Sequence, residues 1–287
     1  MTKPTRHFHE DIAFDYLPPT GTDSRRWVIL CDGLPGAPER HELMGAIAAA
    51  GWHVVHPRYA GTWESDGQFL AHSPADDIVK ILAAAKAGIL TAKDQPPARE
   101  VALLGSSFGG AVALRLADFA PVDRVVALSP VISFRALAKH LATLPAYLRD
   151  TYPGTYRFDD ADWERLVRDE IIDLAEVGSA GVTKTAIIAG ADDEQIPVKD
   201  ILDYSLAGHA AYYLALPGRG HLGFSKIAGE VLDCVLACLD SAEAANEWTA
   251  RNAAALFGEG VVNMDIPFDG MDGPEPPERH RLRPRKH

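Results

Sequence analysis

The chain has 287 residues, 47% of them hydrophobic and 24% charged, with a formal net charge of −12. That size and balance suit one large α/β domain and exclude a chain disordered throughout. The acidic surplus excludes nucleic acid and an anionic membrane face as main partners, because both require a basic surface.

The opening Met-Thr-Lys-Pro-Thr-Arg-His-Phe-His-Glu carries no apolar stretch of a signal peptide, so a cytoplasmic location is expected. Residues 11–17 alternate apolar with polar and predict an antiparallel edge strand. A near-continuous apolar run at 27–33 ends in a Gly/Pro loop, and similar runs recur at 52–56, 101–105, 122–128, 184–190 and 211–216. Their lack of strict alternation predicts strands covered on both faces. Helix-period segments separate them at 39–50, 75–92, 108–120, 198–206 and 221–244. Alternating strands and helices predict an α/β fold with a doubly wound, mostly parallel sheet. No apolar run reaches the roughly 20 residues of a membrane span. The longest, 78–90, is interrupted by Lys80 and Lys86.

One connection is too long for an ordinary crossover. Residues 131–181 hold an apolar stripe (Phe134, Leu137, Leu141, Leu144, Leu148), then a second helix capped by Asp159 or Asp160. This second helix carries Trp163, Leu166, Val167, Ile171 and Leu174 on one face. The segment is expected to form a helical cap over the carboxyl ends of the strands, where open α/β sheets bind ligands. The domain organisation is then a core of 1–130 and 182–245, a cap of 131–181, and a loop-rich C-terminal extension of 246–287. In the extension, alternating Val262, Met264, Ile266 and Phe268 leave open docking on the body or on a second subunit, a homodimer.

The chemistry centres on Gly105-Ser106-Ser107-Phe108-Gly109, between an apolar strand and a small-residue helix. A direct strand-to-helix turn strains its apex residue, and flanking glycines leave room for the crowded backbone. Ser107 at the apex presents its hydroxyl above the sheet, with the Phe108 N–H aimed where an oxyanion forms. A serine needs a base. His221, in the Gly-rich loop after the last strand, is the candidate, and Asp193, after the preceding strand, is the group that orients it. The chain order Ser, Asp, His matches neither common serine-protease order. Asp192 competes with Asp193, Ser106 lies off the apex, and Glu194 reads as solvated.

With these motifs the chain resembles α/β-hydrolase fold enzymes from about residue 11 to about residue 240. The turn Gly190-Ala-Asp-Asp-Glu-Gln-Ile-Pro197 and the loop Gly220-His221-Leu-Gly-Phe224 carry the likeness beside the serine motif. The stretch Pro57-Arg-Tyr-Ala-Gly-Thr-Trp-Glu-Ser-Asp-Gly67 resembles a loop of serine aminopeptidase-like and acyl-thioesterase-like hydrolases. The resemblance implies a second oxyanion donor, the backbone N–H of Leu34. It also implies a departure: Asp32-Gly33 stands where many relatives have His-Gly. The Asp32 carboxylate is expected to point away from the oxyanion and bond to backbone.

The function expected is a serine hydrolase that cleaves a carboxylic ester or thioester through an acyl-enzyme. Its partner is a small-molecule acyl substrate, free or carrier-linked. Arg58, Trp63 and Phe134 are candidate substrate contacts, with loop bonding and packing as their plainer roles. An acyltransferase, cyclase or peptidase would use the same triad, and a non-catalytic binding protein is the remaining class. No cofactor is called for. His7, His9, His53, His56 and His140 lack ligand spacing, so no metal site is expected. Cys31, Cys234 and Cys238 show no zinc or redox spacing and read as buried reduced thiols.

Overall fold

The computed structural model describes residues 3–21, 24–36, 39–91, 97–118, 121–178 and 180–257. Eight strands form one sheet in the order β1-β2-β4-β3-β5-β6-β7-β8. They are β1 (Thr5–His9), β2 (Ile12–Leu17), β3 (Arg26–Cys31), β4 (His53–Pro57), β5 (Glu100–Ser106), β6 (Arg124–Leu128), β7 (Thr185–Gly190) and β8 (Tyr212–Leu216). Strand β2 runs antiparallel to both β1 and β4, and every other pairing is parallel.

The absence of alternation in the apolar runs has a direct cause. In β5, Val101 and Leu103 face one hydrophobic core, while Ala102 and Leu104 face the other. The first core packs the sheet against α2 (Pro74–Ala87), α3 (Phe108–Arg115) and α7 (Val198–Tyr204). The second packs it against α1 (His41–Ala49), α8 (Glu230–Asp240) and α9 (Ala242–Phe257). A strand buried on both faces gains nothing from polar alternation.

Four elements differ from the sequence reading. The helix expected to carry Trp163 through Leu174 ends at Val167, before a left-handed Asp169 (φ 61°), so Ile171 and Leu174 lie beyond it. The edge strand is β1, which the sequence reading omits, and β2 lies between it and β4. Strand β1 is polar and largely exposed, so it carries no periodic signal. The helix expected at 221–244 begins only at Glu230, after a left-handed Gly229 (φ 53°). An extended Ser241 then separates α8 from α9. The extension expected to be loop-rich is helical to Phe257, because Ala245 and Trp248 dock one face of α9 on the second core. Val262, Met264, Ile266 and Phe268 lie outside the described residues.

Residues 131–181 hold α4 (Ala138–Leu141), α5 (Leu144–Thr151) and α6 (Asp160–Val167). The cap of α6 is Asp159: its carboxylate accepts the Asp162 N–H at 2.8 Å, and the Asp162 carboxylate reaches back to the Asp159 N–H at 3.5 Å. Leu148 and Leu166, both fully buried, join the first core together with Phe134, Leu137 and Trp163. Among the described residues, no helix is long and apolar enough to cross a membrane.

Candidate active site

The site gathers at the carboxyl ends of β3, β5, β6, β7 and β8. Adjacent β3 and β5 pair Cys31 with Gly105, so the turns after them lie side by side. Ser107 follows β5 with φ 54° and ψ −118°, the strained apex of a sharp elbow, and it caps α3. Its N–H donates to the Leu128 carbonyl at 2.9 Å, and its own carbonyl accepts the Val131 N–H at 3.1 Å. Both ends of the peptide are therefore held by β6 and the turn beyond it. The close approach requires glycine at 109: a Cβ there would meet the Cys31 carbonyl oxygen at 1.9 Å. Ser106 is 1% exposed and turned into the fold, which leaves Ser107 as the accessible hydroxyl.

Two backbone N–H groups flank Ser107. That of Phe108 is at the first position of α3, where no intrahelical partner exists. That of Leu34 makes no hydrogen bond among the described residues. The Leu34 loop is close, since a Cβ on Gly33 would lie 3.4 Å from the Ser107 Cβ.

Asp193 and His221 meet. His221 Nδ1–H donates to Asp193 Oδ2 at 2.9 Å. The other oxygen of Asp193 accepts the N–H groups of Gln195 and Ile196 at 2.9 and 3.0 Å. Burial would raise the Asp193 carboxyl, but the His221 hydrogen bond and these two N–H donors outweigh it and hold it below the usual carboxylate range. Asp192 is exposed. The turn and the histidine loop touch at Gly190, where a Cβ would meet the Gly220 carbonyl oxygen at 2.0 Å. Ser129, fully buried after β6, accepts the Leu222 N–H at 3.2 Å and ties the histidine loop to the sheet. Nothing in the sequence marks Ser129. No hydrogen bond links His221 to the Ser107 hydroxyl among the described residues. Such contacts commonly tighten only with substrate bound.

A cavity of about 580 Å³ opens over Ser107. Phe108, Leu34 and Ile196 of the body line it, and residues 131–181 supply Phe134, Leu144 and Trp163 among others. Among the described residues, its few polar side chains are Ser107, Thr143, Tyr147, Glu194 and Gln195, with no lysine or arginine. Phe134 is thus a wall of this cavity. Arg58 and Trp63 are not. Arg58 is buried behind the Leu34 loop, bonded to Asp15 and to the His56 carbonyl, both at 2.8 Å. Trp63 stacks edge-on against Tyr152 and Tyr156.

Asp32 points away from the cavity. Its Oδ1 accepts the Gly33 N–H at 2.8 Å, and its carboxylate takes a two-pronged Arg40 at 2.8 and 3.0 Å. His56 Nε2 lies 3.2 Å from Oδ2. Burial would raise the Asp32 carboxyl, but His56 and Arg40 outweigh it and keep it ionised. Burial lowers His56 in turn, so the imidazole donates as a neutral ring. Among the described residues, no group of three His, Cys, Asp or Glu side chains is placed to hold a metal ion.

No family model matches the chain. Uncharacterized proteins from two strains of Mycobacterium tuberculosis are 28% identical over 222 residues, 76% of this chain and 70% of theirs. Solved structures align over most of the chain. A carboxylesterase of Nitrososphaera gargenis superposes with a TM-score of 0.60 at 15% identity, over 82% of this chain and 96% of that one. The chain has the α/β-hydrolase fold. An esterase of Pyrococcus furiosus (TM-score 0.57, 16% identity, 87% and 90% covered) shares it. So does an α/β serine hydrolase of Xanthomonas campestris described as lacking a lid (TM-score 0.55, 16% identity, 88% and 95% covered).

Proposed function

We propose that the chain is a serine hydrolase acting on a carboxylic ester or thioester with an apolar acyl group, through Ser107, His221 and Asp193. The observation that carries this reading is the Asp193–His221 pair at 2.9 Å beside a cavity floored by a strained, accessible Ser107. Esterases among the structural neighbours support the reaction class.

In this mechanism Asp193 fixes the imidazole with its proton on Nδ1, leaving Nε2 as base. Ser107 Oγ attacks the carbonyl carbon and passes its proton to His221. The Leu34 and Phe108 N–H groups receive the oxyanion, and their preorganisation lowers the barrier without reorganisation cost. His221 then protonates the departing alcohol or thiol. Water, deprotonated by the same imidazole, releases the free acid.

Residues 131–181 act as a cap in this reading, and their apolar wall receives the acyl part. Each methylene buried there contributes about 0.8 kcal/mol of binding. Among the described residues the wall offers Glu194 and no lysine or arginine, which disfavours an acyl chain that ends in a carboxylate.

The test is a p-nitrophenyl ester series with a fluorophosphonate probe. Wild type is expected to label at Ser107 and to prefer medium, uncharged acyl chains. Ser107→Ala should lose labelling and at least about 10³-fold in kcat. Full activity in Ser107→Ala would end the proposal. An added alcohol that diverts the acyl group to a new ester would shift the reaction from hydrolysis to transfer.

A further inference from the structure

The loop bearing Leu34 is gripped at both ends, at one by its own Asp32 and at the other by a side chain from a distant segment. At its start, Asp32 accepts the Gly33 N–H at 2.8 Å and is itself clamped by Arg40 and His56. At its end, the Gly36 N–H donates to the Tyr156 hydroxyl at 2.7 Å. Tyr156 belongs to the 131–181 segment and is 6% exposed. The backbone around it is stitched to the body. The Trp63 N–H reaches the Thr155 carbonyl at 2.9 Å, the Arg157 N–H reaches the Gly61 carbonyl at 2.9 Å, and the Phe69 N–H reaches the Arg157 carbonyl at 2.6 Å. The Tyr156 ring lies edge-on to Trp63 and Phe69, so its hydroxyl has little freedom to leave Gly36.

We propose that Asp32 and Tyr156 are positioning residues that together hold the Leu34 N–H on the oxyanion, so that seating of the 131–181 segment completes the catalytic site. This rests on the hydrolase reading above. Neither side chain touches substrate. Each fixes a backbone N–H on one flank of Leu34, and a main-chain donor can be aimed only by fixing the peptides beside it. A displacement of about 1 Å at such a donor can cost up to ~10²-fold in rate. Asp32, unusual at this position, then makes chemical sense: its acceptor oxygens bind the loop and its charge is neutralised behind it by Arg40.

Tyr156→Phe removes one oxygen atom and keeps the ring. The expected result is a fall of about tenfold in kcat with KM within twofold, and an equal loss of affinity for a trifluoromethyl ketone that mimics the tetrahedral adduct. A purely structural role would lower the melting temperature without separating the ketone from the substrate. Tyr204→Phe is the control, since its buried hydroxyl has no hydrogen-bond partner among the described residues and lies outside the cavity. It should move neither quantity. Asp32→Asn is expected to act in the same direction, and Tyr156→Phe decides the matter if that variant does not fold. An unchanged kcat and ketone affinity in Tyr156→Phe would overturn the positioning role while leaving hydrolysis intact. Wild-type protein that neither hydrolyses esters nor labels at Ser107 would overturn both.

Discussion

Two neighbouring aspartates, Asp192 and Asp193, show how much work the backbone does for a side chain. Both follow β7, yet only Asp193 is turned inward, with its carboxylate wrapped by two N–H groups and His221. An amide at 193 keeps one acceptor but presents a donor to the imidazole and favours the wrong tautomer. Asp193→Asn is therefore expected to lower kcat by about 10⁴-fold with little change in KM. Asp192→Asn should stay within twofold of wild type, and steady-state kinetics on a single ester separates the two.

At the scale of elements, the site is a set of turns pressed together. The turn after β7 and the loop after β8 touch where Gly190 meets the Gly220 carbonyl. A methyl group there would displace the histidine loop from the acid turn. Gly190→Ala is expected to cost about 3 kcal/mol of stability and to reduce activity beyond what the lost stability explains. Urea unfolding and kinetics on the folded fraction would check it. A variant with unchanged melting temperature and activity would mean that the two loops are free to separate. The insertion is held instead by a hydrogen bond. Asp169 accepts the Phe134 N–H at 2.6 Å and so closes the segment on itself near its base.

For the whole molecule, acid is the informative stress. Asp15, Asp32 and Asp193 are held below the usual carboxylate range, each by partners that outweigh its burial: Arg6 and Arg58, His56 and Arg40, and His221 with two backbone N–H groups. A carboxyl depressed in the fold contributes stability that is complete above its unfolded pKa, about 3.9, and is lost as pH falls through the folded value. Asp77 runs the other way: burial raises it, so its ionisation costs stability as pH rises. The three depressed groups outnumber it. His56, lowered by burial, adds a loss of its own as pH falls below its unfolded pKa of about 6.5, so the melting temperature should decline gently from pH 7 to about 5 and drop steeply below about 4. Circular dichroism across that range tests this, and a flat profile down to pH 3 would contradict it.

The sequence by itself determined the strand–helix alternation, the elbow at Ser107 and the order Ser, Asp, His. Each of these is written in local periodicity or in a short motif at the end of an apolar run. The helical content of 131–181 was legible for the same reason, through the stripe from Phe134 to Leu148. The polar strand β1 was not, because an exposed edge needs no hydrophobic pattern, and neither was the helical stretch of α9, which depends on docking Trp248. Arg58 and Trp63 lie close in sequence to the expected site, yet they are turned behind the Leu34 loop or against tyrosines. Only the tertiary structure decided which side chains support the site. The bonding of Asp32 to backbone was expected from the sequence, but its partners Arg40 and His56, and Ser129 and Tyr156, come from four separate stretches, and a hydrogen bond between distant segments leaves no period in a single chain. The packing of eight strands brings those stretches to one end of the sheet, and that convergence gives the Ser107 elbow its surroundings.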